Sequence, residues 1–386
     1  QETIPNNIIS LSGNQVDVET LTATKIFFDL IGSQNYESRL DNAKIDPKVR
    51  SSYIFNSGIS NIENCDSILL VGTNPRWEAS ILNARIRKQY LNNDIPIALI
   101  GNKKNLTYNY EYLGNSLKIL ENLYNDKINF SEKLKKSKKP MIIIGLSAIS
   151  RKDGEAVLSL CRKIALKYNI VQDDWNGFNV LNTNISKVGA LDIGFYNNKF
   201  SNNTFRKIEE ICSQKKSITF LLAVDEINTD ILKESFVIYV GHHGDIGAQR
   251  ADIILPSPAY TEKNSTFVNL EGRVMKSQKC HQPLGESKEE WKIFRKLSDK
   301  LSFNMPFNNI YELRQEMSKI NPIFNQLNIL HNNEFKDFGK SGEILDEPIL
   351  DLIKNFYMTD AISRASKTMS ECSIKLKNLN NNLFQK

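Results

Sequence analysis

The sequence has 386 residues, 40% of them hydrophobic and 24% charged, with 18 Gly, 11 Pro and 5 Cys, a globular composition that excludes collagen-like, low-complexity and disulfide-scaffold classes. Its net charge of +6, from 50 Lys and Arg against 44 Asp and Glu, is spread along the chain and excludes the concentrated basic face of a nucleic-acid binder. The length excludes one small module and predicts two or three domains, each able to bury its own core.

In chain order, the apolar run 67–71 (SILLV), stopped by Gly72, reads as a buried parallel strand. Residues 75–91 place Trp77, Ile81, Leu82, Ala84 and Ile86 at near-helical intervals, with Asn74 suited to the N-cap and Pro75 to the first turn. The run 96–100 (PIALI), stopped by Gly101, completes a β-α-β unit. Residues 131–139 (SEKLKKSKK) are basic and apolar-poor, so a boundary is placed there and 1–139 is expected to be a first α/β domain. Residues 140–285 are expected to be a second, with strands at 141–145, 217–224, 236–240 and 251–255 and a helix over 154–168. Strands alternating with helical patterns predict doubly wound, mostly parallel sheets. Residues 286–386 read as helices over 288–301 and 311–320, then an Asn-rich tail expected to pack on a neighbour or stay mobile.

Five cysteines at wide spacing, with no C-x-x-C, indicate a reducing compartment and mostly packed thiols, and argue against a sequence-local cluster or zinc site. No apolar run approaches the roughly 18 to 20 residues needed to cross a bilayer. The chain begins at Gln1 without an initiator Met, so a processed product or part of a longer polypeptide is expected.

Three loops could carry chemistry. In V-G-T-N-P-R (71–76), a Gly turn leads from strand to helix, where free N–H groups favour an anion and Arg76 could add a phosphate-pairing fork. Turn-making and capping are the more general demands on Gly72, Thr73 and Asn74, and the structural role is the expected one. In G-H-H-G-D-I-G (241–247), a metal at His242 or His243 would need ligands from elsewhere, with only His281 and His331 left as other histidines. Asp245 could orient an imidazole as general base, yet no nucleophile elbow lies nearby, and hydrogen-bonded loop histidines are expected. In the third, A-D-I-I-L-P (251–256) is followed by Glu262, Glu271 and Arg273, charged groups placed where open α/β sheets bind ligands. Glu262 with Glu271 could form an acid and base pair, and the alternative is an ion-pair lattice around Arg273 that holds the loop.

Together V-G-T-N-P-R-W-E-A (71–79), N-A-R-I-R-K (83–88), A-L-I-G (98–101), L-T-Y-x-Y (106–110), G-H-H-G-D (241–245) and A-D-I-I-L-P…T-E-K…T-F-V-N-x-E-G-R (251–273) resemble the carboxy-terminal half of the large iron-sulfur subunit of respiratory complex I. The segment F-Y-M-T-D-A-I-S-R-A-S-K-T-M (356–369) is similar to the end of its mitochondrial form. The resemblance implies a molybdopterin-oxidoreductase type of α/β fold, with two doubly wound sheet domains and a helical or irregular tail. It also implies a non-catalytic structural module of NADH:ubiquinone oxidoreductase, so that the chain belongs to an enzyme but carries no catalytic residue itself.

No cofactor ligand carries over to any residue. Gly72, Thr73, Asn74 and Arg76 stand as vestigial members of a dinucleotide loop, and no metal ligand is assigned. Iron-sulfur clusters and FMN are expected in partner chains. The partners implied are other peripheral-arm subunits, among them the iron-sulfur amino-terminal half of the same subunit, at the matrix side of the mitochondrial inner membrane or the cytoplasmic face of a bacterial one. Arg76, Arg85 and Arg87 are expected in packing or ion pairs, and the 356–369 tail in docking to a partner. The rival reading is a working molybdopterin-dependent oxidoreductase fragment.

Overall fold

The computed structural model describes residues 4–200 and 203–384, with side chains up to residue 377; Gln1 and the last two residues of the tail lie outside it. The described strands are β1 (Ile8–Ser12), β2 (Tyr36–Glu37), β3 (Ser67–Val71), β4 (Ile97–Ile100), β5 (Glu111–Gly114), β6 (Pro140–Gly145), β7 (Phe178–Leu181), β8 (Ile218–Leu222), β9 (Phe236–Gly241), β10 (Ile253–Pro256), β11 (Ser265–Val268) and β12 (Val274–Ser277). They form a five-stranded sheet in the order β10-β9-β8-β1-β2, a second in the order β5-β4-β3-β6-β7, and an antiparallel hairpin of β11 and β12. Every pairing within the two large sheets is parallel.

The continuous apolar runs are explained by burial on both faces. In β3, Leu69 and Val71 point into the main core, whereas Ile68 and Leu70 point into a second core on the opposite face. The same alternation sends Phe220 and Leu222 of β8 to the main core and Leu221 to a third, with Val237 and Tyr239 of β9. Helix Val18–Leu30 fills the main core with Leu21, Phe27 and Phe28; Phe27 packs on Phe294 of helix Glu290–Lys300 with ring centroids 5.5 Å apart.

The strand groupings correct the expected division at residue 139. Strands β3 and β6, one from each side of that boundary, are hydrogen-bonded neighbours. One sheet spans β3 to β7, and the other pairs the amino-terminal β1 with β8. An apolar run reveals that it is buried but not which sheet it joins, and the basic segment is only a solvated crossover. Its Lys133 pairs with Glu111 and its Lys135 with Asp126 and Glu132.

The helix expected over 75–91 is broken. Helix Pro75–Glu78 ends where Ala79 takes φ −154° and ψ 72°, and a second helix runs over Ser80–Asn93. Helices Gly154–Lys167, Glu290–Lys300 and Ile310–Ile320 lie within a residue or two of their expected places. The sequence reading did not find β1, β5, β7, helix Val18–Leu30 or the β11–β12 hairpin, whose apolar runs are short or interrupted by polar residues.

Candidate functional site at the carboxyl edges of the sheets

Each sheet begins near its middle, winds outward, then returns to the other side of its first strand. The winding reverses between β3 and β6 in one sheet and between β1 and β8 in the other, and open α/β sheets bind ligands at the carboxyl ends of such strands. Gly72 and Gly145 close the first point. Gly72 has φ +56°, and a Cβ there would lie 2.7 Å from the Ala148 Cβ; a Cβ on Gly145 would lie 2.2 Å from the Gly72 oxygen. At the second, a Cβ on Gly13 would lie 1.9 Å from the Ala223 oxygen. A cavity of about 880 Å³ spans both points, lined by Asn14 and Gln15 after β1, Trp77 and Glu78 after β3, Leu146 after β6 and Glu226 after β8.

Of the loop residues singled out from sequence, Thr73 donates its hydroxyl to Glu78, and the Asn74 N–H donates to Glu78 Oε1 at 2.9 Å. The expected side-chain cap by Asn74 is not made: its Oδ1 is buried without a hydrogen-bond partner, and Glu78 satisfies the turn instead. Burial pushes the Glu78 carboxyl above its ordinary range, opposed by these two hydrogen bonds. Arg76 is exposed and donates to the Asn105 carbonyl at 3.0 Å. Arg85 pairs with Glu63, and Arg87 donates to the Thr107 carbonyl at 3.1 Å.

In the histidine loop, His242 Nδ1 lies 3.1 Å from His243 Nδ1. Burial, with the nearby Lys263 cation, pushes His242 down to about 4, so a second proton on its ring is disfavoured at neutral pH. Asp245 orients no imidazole. It accepts from Arg364 and from the Ile246 N–H, while Asp225 accepts from the Asp245 and Gly247 N–H groups and from the Tyr239 hydroxyl. Among the described residues no group of three or more His, Cys, Asp or Glu is placed to hold a metal ion.

Glu262 and Glu271 form no acid and base pair. Glu271 meets Arg273 at 2.9 Å and accepts the Ile59 N–H, and Glu262 accepts the Ala259 N–H. The Arg273 lattice, which also reaches the Asn328 carbonyl, holds the turn between β11 and β12. Lys263 is buried between Asp17 and Glu290, an arrangement that no local spacing announces.

Residues 345–365 cross the carboxyl edges of both sheets. Asp351 pairs with Lys104 after β4 at 2.6 Å and accepts from Asn102. Phe356 packs on Trp77 with ring centroids 6.3 Å apart. Arg364 bonds Glu226 after β8 at 3.0 Å and Asp245 after β9. Within the 356–369 segment expected to dock on a partner, Phe356 and Arg364 thus contact their own chain.

A profile of the molybdopterin oxidoreductase family matches residues 2–300. The chain belongs to the molybdopterin oxidoreductase family. A second profile, for the C-terminal part of the G subunit of NADH-ubiquinone oxidoreductase, matches residues 330–372, which contain the crossing segment. The chain is 41% identical over 368 residues to the G subunit of NADH-quinone oxidoreductase of Rickettsia bellii, covering 95% of this chain and 52% of that protein. It is 40% identical over 377 residues to the mitochondrial 78 kDa subunit of NADH-ubiquinone oxidoreductase of Candida albicans, covering 94% and 51%. The chain therefore spans about half the length of the curated relatives it matches.

Among solved structures, the formyltransferase/hydrolase complex of Methylorubrum extorquens aligns at a TM-score of 0.56 and 12% identity, covering 76% of this chain and 91% of that one. Acetylene hydratase of Pelobacter acetylenicus aligns at 0.53 and 14%, covering 82% and 59%. Both likenesses concern the fold.

A phosphate-bearing pterin, the group implied by this family, does not fit the 72–78 loop as folded. The donors that would meet a phosphate, the Thr73 hydroxyl and the Asn74 N–H, are taken by the Glu78 carboxylate, and Arg76 is directed to Asn105. An incoming phosphate would meet a carboxylate, and like charges at close range repel.

Proposed function

We propose that this chain is a structural module in the peripheral arm of respiratory complex I, packing beside the cluster-bearing domains and holding no cofactor of its own. The observation that carries this reading is the joint match of the two profiles: a molybdopterin oxidoreductase fold extended by the segment particular to the G subunit of NADH-ubiquinone oxidoreductase. The curated relatives named as subunits of that enzyme support it along nearly the whole chain.

The partners in this reading are the other peripheral-arm subunits, including the iron-sulfur half that the relatives' remaining length would supply, with the clusters and FMN in those chains. No helix among the described residues is long and apolar enough to cross a membrane, and the location proposed is the matrix side of the mitochondrial inner membrane, or the cytoplasmic face in a bacterium. Affinity purification of the tagged chain under mild detergent tests the assignment: complex I subunits co-purify in stoichiometric amounts, and the isolated chain contains no iron, molybdenum or flavin. Stoichiometric molybdenum with bound pterin would establish the working-oxidoreductase alternative, and absence of complex I subunits would overturn the module reading.

A further inference from the structure

The crossing segment is held in a particular way. Before and at its start Phe338, Ile344 and Ile349 are each 2% exposed, and Arg151 ties down the Leu345 and Glu347 carbonyls. From residue 350 the apolar anchoring weakens: Leu350, Leu352 and Phe356 are 75%, 47% and 37% exposed, and Ile353, Tyr357, Met358 and Ile362 are only half-buried. What holds the far end is Arg364, donating through Nε to Asp245 and through Nη2 to Glu226. Asp360 aims it, because its side chain and that of Ser363 form a reciprocal cap on the short helix Ala361–Ala365. A segment with little buried apolar surface, fixed mainly by part-exposed charges, belongs to the low-stability end of a structure.

Beneath it lies the cavity over both switch points, and Leu352, Phe356, Thr359 and Arg364 form part of its wall. We propose that residues 350–364 are a latch that closes the cleft between the two sheets, hinged at Asp351, and that residues 352–364 open as one unit when Arg364 releases Asp245 and Glu226. The two carboxylates follow neighbouring strands of one sheet, and the other end of the segment is fixed to the second sheet through Asp351. Release at Arg364 therefore frees residues 352–364, the part of the latch that spans the cavity, while Asp351 and everything before it stay in place as its hinge end.

The experiment uses the full chain. Of its three tryptophans, Trp175 and Trp291 are 5% and 7% exposed, so acrylamide quenching reports chiefly on Trp77 beneath Phe356. Chymotryptic cleavage after Tyr357 reports on the segment itself. Arg364→Glu, which sets a third carboxylate against Glu226 and Asp245, is expected to speed that cleavage about tenfold or more and to raise quenching, with the circular dichroism of the sheets unchanged. In the unaltered chain, raising NaCl from about 0.05 to 0.5 M screens the same pair and is expected to speed cleavage several-fold. Unchanged cleavage and quenching in a folded Arg364→Glu chain would overturn the proposal. Should that variant not fold, salt-insensitive cleavage of the unaltered chain would overturn it equally.

Discussion

Lys263 donates to Asp17 in the interior of the protein, bringing the loop before β11 against the start of helix Val18–Leu30, and Glu290 completes the site with two contacts of 2.8 Å. The two carboxylates hold the Lys263 ammonium well above its usual range despite burial, and Lys263 in turn draws Asp17 down. Glu19, near the start of the same helix, accepts from Arg314 at 2.8 Å and from the Thr266 N–H and hydroxyl. Four separate parts of the chain, around Asp17, Lys263, Glu290 and Arg314, are fixed together by these charges.

Removing the cation leaves Asp17 and Glu290 buried and unpaired. Lys263→Met is expected to destabilise the chain by about 3–5 kcal/mol, the usual cost of breaking a buried pair from one side. Urea unfolding followed by circular dichroism measures it; a loss below about 1 kcal/mol, the usual worth of an exposed pair, would show that water reaches the site.

Gly72 is a position for glycine alone. Its φ of +56° is strained for any side chain, and a Cβ would press on the Ala148 Cβ and N at 2.7 and 2.9 Å. Gly72→Ala is expected to cost about 2–4 kcal/mol, from backbone strain plus overpacking, read as a lowered urea midpoint with an unchanged slope.

For Glu78 the sign of the pH effect follows from burial. A carboxyl whose folded value is raised favours the fold most when protonated, so its contribution falls as pH rises through the carboxylate range. Glu78→Gln, which keeps an oxygen to accept the Asn74 N–H, is expected to match or exceed the unaltered chain in stability at pH 7.5, with the difference shrinking toward pH 4. A variant markedly less stable at pH 7.5 would show that the two hydrogen bonds outweigh burial.

His242 acts in the opposite direction. Its value drops from the ordinary imidazole range to about 4 in the folded chain, so the unfolded state binds the extra proton first, and stability is lost as pH falls from about 6.5 toward 4. His242→Gln is expected to flatten the fall in unfolding midpoint across that window. An equally steep fall in the variant would place the acid sensitivity elsewhere.

The fold class was legible because burial on both faces writes parallel strands as uninterrupted apolar runs, and β3, β4, β6 and β9 all carry that mark. Strand β1 was not, since IISLS alternates with polar residues and its depth comes from its place between β8 and β2. Of the candidate site, the glycine turn at Gly72 was legible. The part played by Glu78 was hidden in a stretch that reads as one helix, because the break at Ala79 follows from packing and from the carboxylate's own hydrogen bonds.

By itself the sequence determined the α/β class, the glycine turn at the end of β3 and the likeness to the large complex I polypeptide, all of which rest on patterns a few residues long. Only the tertiary structure decided which strands share a sheet, that Lys263 pairs with both Asp17 and Glu290, and that the 345–365 segment lies over the carboxyl edges of both sheets. These depend on groups that meet across hundreds of residues, where the free energy of burying or pairing a charge is set by the assembled surroundings and not by sequence neighbours.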